Sequence, residues 1–221
     1  MGTRHLCWLI STFAIIVVAA VLPVGFAAVV PDPVVDSDSS NAKGKQIAVL
    51  AGGCFWCTEA VLEQLIGVQD VVSGYSGGEA KTAQYDLVAQ GRTNHAESIK
   101  ITFDPAKISY GQLLKVFFSA AHDPTQLNRQ DPDYGRQYRS AIFWRDAEQK
   151  RIAEAYIQQL NEARVFSKPI VTELAELKKF YTAEPYHQDF VKRHPKHPYV
   201  VVNVLPKLEK LSNEFPALVK K

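Results

Sequence analysis

Between Arg4 and Asp32 the chain carries no Asp, Glu, Lys or Arg, and the stretch LCWLISTFAIIVVAAVLPVGFAA inside it is almost wholly apolar. Such a run does not make the surface of a water-facing domain, so it divides the 221 residues into a leader and a separately folded remainder. A basic start, an apolar centre and a small-residue end read as an export signal over residues 1–27, with Gly25 and Ala27 at the minus-three and minus-one positions of a cleavage point. The competing reading is an uncleaved membrane anchor, because the apolar run through Val30 approaches the roughly 20 residues that span a bilayer. Both readings place the domain outside the cytoplasm, periplasmic or secreted, free or tethered. Residues 28–45, rich in Pro, Ser and Asp without periodicity, read as a linker, which leaves 46–221 for a single domain of about 175 residues.

Within that domain the pattern alternates strand and helix. Gln46 to Leu50 is a short apolar run that meets Gly52 and Gly53, and Thr58 to Leu65 follows with helical spacing. Strands are expected at Val68–Tyr75, His95–Phe103, Ala141–Trp144 and Ile170–Leu177. Helices are expected from the cap Ser109 to Ala121, from the cap Asp146 to about Ala163, and briefly at Tyr186–Arg193. The order β-α-β-β-α-β predicts an α/β (α+β) fold, a ferredoxin-like split βαβ two-layer sandwich with extra C-terminal elements. The polar connection from His122 to Ser140 is longer than packing requires, which marks it as functional.

The chemistry rests on few groups. With 25 basic and 23 acidic side chains the formal charge is only +2, which gives no basic surface for nucleic acid. Three cysteines, one of them (Cys7) in the leader, make no disulfide scaffold, and six dispersed histidines make no metal cage. What remains is Gly52-Gly53-Cys54-Phe55-Trp56-Cys57, a cysteine pair where a strand enters a helix. A thiol at a helix start is drawn toward thiolate by the first-turn amides, which makes Cys54 the better nucleophile and Cys57 its partner. Against this stand a structural bridge, two thiols packed as small hydrophobes, and a zinc half-site. A bridge over three residues closes almost no loop, and no later cysteine completes a zinc site. Phe55 and Trp56 are either core or a rigid cradle for a small apolar group such as a methyl. Glu97 shares strand phase with Ile99, Ile101 and Phe103. It is therefore either an edge carboxylate or a buried acid kept neutral near pH 7, and a redox thiol nearby favours the proton donor.

GGCFWCTEAV, Tyr85-Asp86-Leu87-Val88, Gly91, Thr93 to Glu97, His122-Asp123-Pro124-Thr125, Asp133, Gly135 and Gln137 to Ser140 occur in an order that strongly resembles the A-type peptide methionine sulfoxide reductases. The resemblance covers most of residues 46–200. It implies a ferredoxin-like core, reduction of the S epimer of methionine sulfoxide in proteins or peptides or as the free amino acid, and no metal or organic cofactor. Carried onto this chain, it makes Cys54 the nucleophile, Phe55 and Trp56 the methyl pocket, and Glu97 the acid that protonates the sulfoxide oxygen. Tyr85 and Tyr138 would bind that oxygen, and Asp133 would organise water and the returning thiol. Glu184, Tyr186, His187 and Gln188 match a late motif of supporting character. Two departures stand out: Asn94 occupies a position that is glycine in many members, where it was expected to sustain positive φ, and the tail SNEFPALVKK lacks the recycling cysteines many members carry. Cys57 is then the partner left for a Cys54 sulfenic acid, and the resulting disulfide would be reopened by thioredoxin or an extracytoplasmic dithiol reductant. A monomer is expected. The rival class is an exported thioredoxin-like thiol-disulfide oxidoreductase, which also places two cysteines at a helix start but has no use for Glu97.

Overall fold

The computed structural model describes residue 2, residues 30–38 and residues 44–221. The expected leader therefore lies outside the described residues, apart from residue 2. Among the described residues no helix is long and apolar enough to cross a membrane.

The chain forms β1 (Gln46–Gly52), α1 (Phe55–Leu62), β2 (Val68–Ser76), a short α2 (Tyr85–Val88) and β3 (Ala96–Phe103). It continues through α3 (Tyr110–Val116), which widens into a π-helical turn at Phe117–Ala121, then the two-residue strands β4 (Arg129–Gln130) and β5 (Asp133–Tyr134). After β6 (Ser140–Trp144) and α4 (Ala147–Glu162) come β7 (Glu173–Glu176), β8 (Phe180–Thr182), α5 (Phe190–Arg193), α6 (Pro198–Asn203) and α7 (Leu205–Glu214). The main sheet runs β7-β6-β1-β3-β2-β8, antiparallel except for the parallel pair β6 and β7. The fold is a mixed α/β one.

Alternation in the strands decides which side chains meet the helices. Ala48 and Leu50 of β1 and Ile99, Ile101 and Phe103 of β3 face α1, α3 and α4 in the larger core, while Val49, Ala51, Ala96, Ala141 and Phe143 form a smaller cluster on the reverse face. Helix α1 buries seven of its eight residues. A helix buried all round carries no apolar stripe, so its sequence pattern does not reveal where it starts. It begins three residues before the expected Thr58, on Phe55, with Cys54 as its N-cap residue. This shift is what seats the thiol at the mouth of the helix.

Residues 30–37, expected to be linker, are docked on the domain. Val30 is buried, the Tyr156 hydroxyl donates to Pro31 O at 2.7 Å, and Lys115 Nζ reaches Asp32 Oδ1 at 2.7 Å. Asp36 accepts from the amide of Gly111 at 2.8 Å and from the Ser109 hydroxyl, adding a second cap to the Ser109/Gln112 capping box of α3. Asp36→Ala is expected to cost about 1 kcal/mol, the usual value of a helix cap, measured as a lower urea midpoint at unchanged slope.

The late helix expected over Tyr186–Arg193 is present only from Phe190, because Asp189 adopts a left-handed backbone (φ 51°) whose amide donates to Glu59 Oε1 at 2.9 Å. Strand β7 is likewise shorter than Ile170–Leu177. Asn94 is not among the positive-φ residues; its carbonyl is held by Arg139 Nη2 at 3.1 Å, so the turn needs no left-handed residue there.

Candidate active site

Strand β1 reaches α1 through Gly53 at φ 87°, and a Cβ there would lie 2.5 Å from Gln130 Cγ. The missing side chain lets the long polar loop close over the turn. Gln130 is itself pinned, accepting from the Asp123 amide at 3.1 Å and donating to the Asp123 carbonyl at 3.0 Å. That anchor carries Asp133, three residues on, and Tyr138, whose 3-10 turn packs on β3, to the start of α1. His122, from the same motif, is structural: it contacts Phe117 O at 3.0 Å and Ser140 Oγ at 2.7 Å, and burial holds it neutral at a pKa of about 3.

Cys54 (7% exposed) and Cys57 (3%) are both free thiols, within hydrogen-bonding reach of one another. Glu97, 2% exposed, lies opposite Tyr75 in the β2/β3 ladder and accepts the Phe55 amide on Oε2 at 3.1 Å. Burial pushes its pKa up to about 8, with Asp133 and Cys57 adding to the rise. One carboxyl oxygen is engaged by the amide, and the other is left to carry the proton. Of the two positions the sequence left open for Glu97, the structure has the buried one and not the water-facing edge.

The expected pull of the helix start on Cys54 is outweighed. The first amide of α1 serves Glu97 instead, and burial, together with the hydrogen bond to Cys57, pushes the Cys54 thiol well above its ordinary value. Cys57, receiving that hydrogen bond and lying near Lys207, is lowered to about 7 despite its burial. The first proton lost therefore belongs to the two thiols as a pair rather than to either alone.

Tyr85 and Tyr138 are half-buried, and burial followed by the nearby Glu97 carboxyl raises both phenols, with Cys54 also close to each. Both hydroxyls are therefore protonated donors beside the acid and the thiol. Phe55 is fully buried, with ring centroids 4.9 Å from His187 and 5.9 Å from Tyr75. Trp56 is part-buried, stacked on Phe190 at 3.7 Å and meeting Tyr199 edge-on at 5.8 Å. All eight residues singled out from the sequence gather around the start of α1.

Of the late motif, Glu184, His187 and Gln188 brace the elements around the site, while Tyr186 is exposed and meets Tyr85 edge-on. Glu184 accepts from the Tyr75 hydroxyl at 2.8 Å and the Tyr85 amide at 2.9 Å, while Gln188 clasps Ser73 through its amide and carbonyl, both at 3.0 Å. His187 is buried against Phe55 and Tyr85. Sequence reasoning missed Tyr199, whose hydroxyl lies 3.7 Å from Cys57 Sγ and donates to Asp133 Oδ2 at 2.5 Å, and Lys207, bound to Ala121 O at 2.6 Å. Away from this site, Glu59, Glu63 and Asp189 place oxygens within 4.8 Å of one another, but Lys192 sits 2.7 Å from Glu63 and 2.8 Å from Asp189 and already neutralises them.

A buried dithiol beside an uncharged carboxylic acid, ringed by phenols and aromatic rings, defines a thiol-dependent oxidoreductase site. The family model described as peptide methionine sulfoxide reductase matches residues 46–218. A peptide methionine sulfoxide reductase MsrA 2 of Synechocystis sp. is 56% identical over 197 residues, covering 88% of this chain and 92% of its own length, and an MsrA of Thermus thermophilus is 48% identical over 176 residues, covering 80% and 98%. Among solved structures, reduced Mxr1 of Saccharomyces cerevisiae superposes with a TM-score of 0.63 at 32% identity, covering 69% of this chain and 87% of that one. Methionine sulfoxide reductase A of Corynebacterium diphtheriae gives 0.59 at 31%, covering 70% and 77%. The chain belongs to the peptide methionine sulfoxide reductase family, and its activity is the thiol-dependent reduction of methionine sulfoxide. The thioredoxin-like alternative is not favoured.

Proposed function

We propose that Cys54 attacks the sulfoxide sulfur, that Glu97 donates the proton that lets the oxygen leave, and that Cys57 resolves the product. A sulfoxide is a poor electrophile because an oxide-like leaving group is too basic to depart near neutral pH. The observation that carries this reading is Glu97, an acid still protonated near neutral pH, held on the amide that follows Cys54. Tyr85 and Tyr138 supply two more donors toward the developing charge on oxygen, where preorganised donors are most effective. Phe55 and Trp56 receive the methyl group, and Asp133 orients water and the resolving thiol. The Cys54 sulfur takes the oxygen as a sulfenic acid and methionine leaves; Cys57 then condenses with it, releasing water and forming the Cys54–Cys57 disulfide.

An external dithiol, thioredoxin or its extracytoplasmic equivalent, reopens that disulfide by exchange. The substrates are methionine S-sulfoxide in oxidised proteins and peptides and the free amino acid, and the enzyme works as a monomer outside the cytoplasm after export by the leader at residues 1–27. The order β6-β1-β3-β2, all antiparallel, supports a ferredoxin-like split βαβ reading of the central strands. Reduction of the separated S and R epimers of a methionine sulfoxide peptide tests the assignment: turnover of the S epimer alone is expected, with the new disulfide mapped to Cys54 and Cys57. Equal use of both epimers would refute it.

A further inference from the structure

Disulfide formation poses a proton problem, because Cys57 must lose a proton and the oxygen leaving Cys54 must gain one. While Cys54 is a thiol, its hydrogen bond holds the Cys57 pKa down to about 7. Oxidation of Cys54 to the sulfenic acid removes that thiol, and Cys57, 3% exposed, must then surrender its proton where bulk water does not reach it. Cys57 Sγ contacts the Tyr199 hydroxyl at 3.7 Å and the Asn203 carbonyl at 4.0 Å, and of these two only the phenol has a proton of its own to pass on. The Tyr199 phenol has a single proton, and that proton is committed to Asp133 Oδ2 at 2.5 Å. With that proton engaged, the phenol lone pair is open to the Cys57 thiol across the 3.7 Å contact. Tyr199 is held for this: Asn203 Nδ2 binds its carbonyl at 3.1 Å, and its ring meets Trp56 edge-on at 5.8 Å. The Lys207 ammonium, fixed on Ala121 O, lies near both Cys57 and Asp133 and favours the anionic form of each.

We propose that Tyr199 is the proton carrier of the disulfide-forming step, passing the Cys57 proton to Asp133. Cys57 S–H gives its proton to the phenol oxygen as the phenol gives its own to the Asp133 carboxylate. The Cys57 sulfur forms the bond to Cys54 while the Cys54 S–O bond breaks, and the departing hydroxide takes the proton back from Asp133 and leaves as water. No external acid, base or electron is consumed: the sulfenic sulfur is reduced and the thiol sulfur oxidised. Lys207 is a positioning residue in this scheme.

The inference rests on the roles proposed above for Cys54 and Cys57, and the test separates the two. Enzyme is mixed with one equivalent of a methionine S-sulfoxide peptide and no reductant, then quenched over time; methionine, dimedone-trapped sulfenic acid and remaining thiols are counted. In Tyr199→Phe the ratio of the methionine-release rate to the disulfide-formation rate is expected to rise about 100-fold, the low end of what a positioned proton acceptor contributes. Dimedone-labelled Cys54 should accumulate, and the solvent deuterium isotope effect on the disulfide step should shrink. Asp133→Asn should also raise the ratio. An unchanged ratio in Tyr199→Phe, or equal slowing of both steps, overturns the proposal. If the unsubstituted enzyme releases methionine but never yields a dimedone adduct or a Cys54–Cys57 disulfide, the underlying reading fails instead.

Discussion

Cys54→Ser is expected to abolish methionine sulfoxide reduction with every reductant, a loss of about 10⁴-fold or more, because a hydroxyl at that position neither ionises near neutral pH nor takes up an oxygen atom. Cys57→Ser should behave differently. Its Cys54 still attacks the substrate, so one equivalent of methionine appears in a single turnover and the sulfenic acid remains for dimedone. Dithiothreitol, a small dithiol, can enter and reduce that acid, so turnover with it should persist. Turnover with thioredoxin should fall about 100-fold, since a protein reductant exchanges with a disulfide and Cys54 lies 7% exposed at the helix start. The tail SNEFPALVKK carries no thiol to take over. Thioredoxin-driven turnover of Cys57→Ser at the unsubstituted rate would remove Cys57 from the pathway.

What could be read in advance follows from the range of the interactions involved. Strand alternation placed Glu97 on the inward face because phase is a local property, preserved through the six residues to Phe103. The caps Ser109 and Asp146 were legible for the same reason, each binding an amide three residues on. Helices α6 and α7 were missed although a signal was present: Leu205, Leu208 and Leu211 recur every three residues, and Leu208 and Leu211 pack on the core. Pro198 and Pro206 stand in the first turn of each helix, where proline is accepted. Tyr199 had no signal at all. Its partners Cys57 and Asp133 lie 142 and 66 residues away, and no spacing rule connects them. The Cys54 expectation failed because burial and the neighbouring Cys57 outweigh the helix start, whose first amide is taken by a carboxyl 42 residues distant.

That competition for one amide leads to the second large effect. The productive enzyme needs a negative charge on the dithiol and a proton on Glu97. The charge appears as pH rises through about 7, where Cys57 and its hydrogen-bonded neighbour lose their first proton. The acid is lost as pH rises through about 8. kcat/KM should therefore follow a narrow bell, climbing near 7 and falling near 8, and both limbs belong to the free enzyme. Glu97→Gln keeps an oxygen for the Phe55 amide but has no proton to give, so kcat/KM should drop between about 10² and 10⁴-fold and the alkaline limb should disappear. Stability supplies an independent reading of the same proton. Glu97 holds its proton when folded up to about 8 and releases it in the ordinary carboxyl range when unfolded, so its contribution is complete at acid pH and fades as pH rises toward 8. Glutamine has no such dependence, and the urea midpoint of Glu97→Gln should gain on that of the unsubstituted enzyme across that window. Parallel midpoints together with a surviving alkaline limb would place the raised acid on a residue other than Glu97.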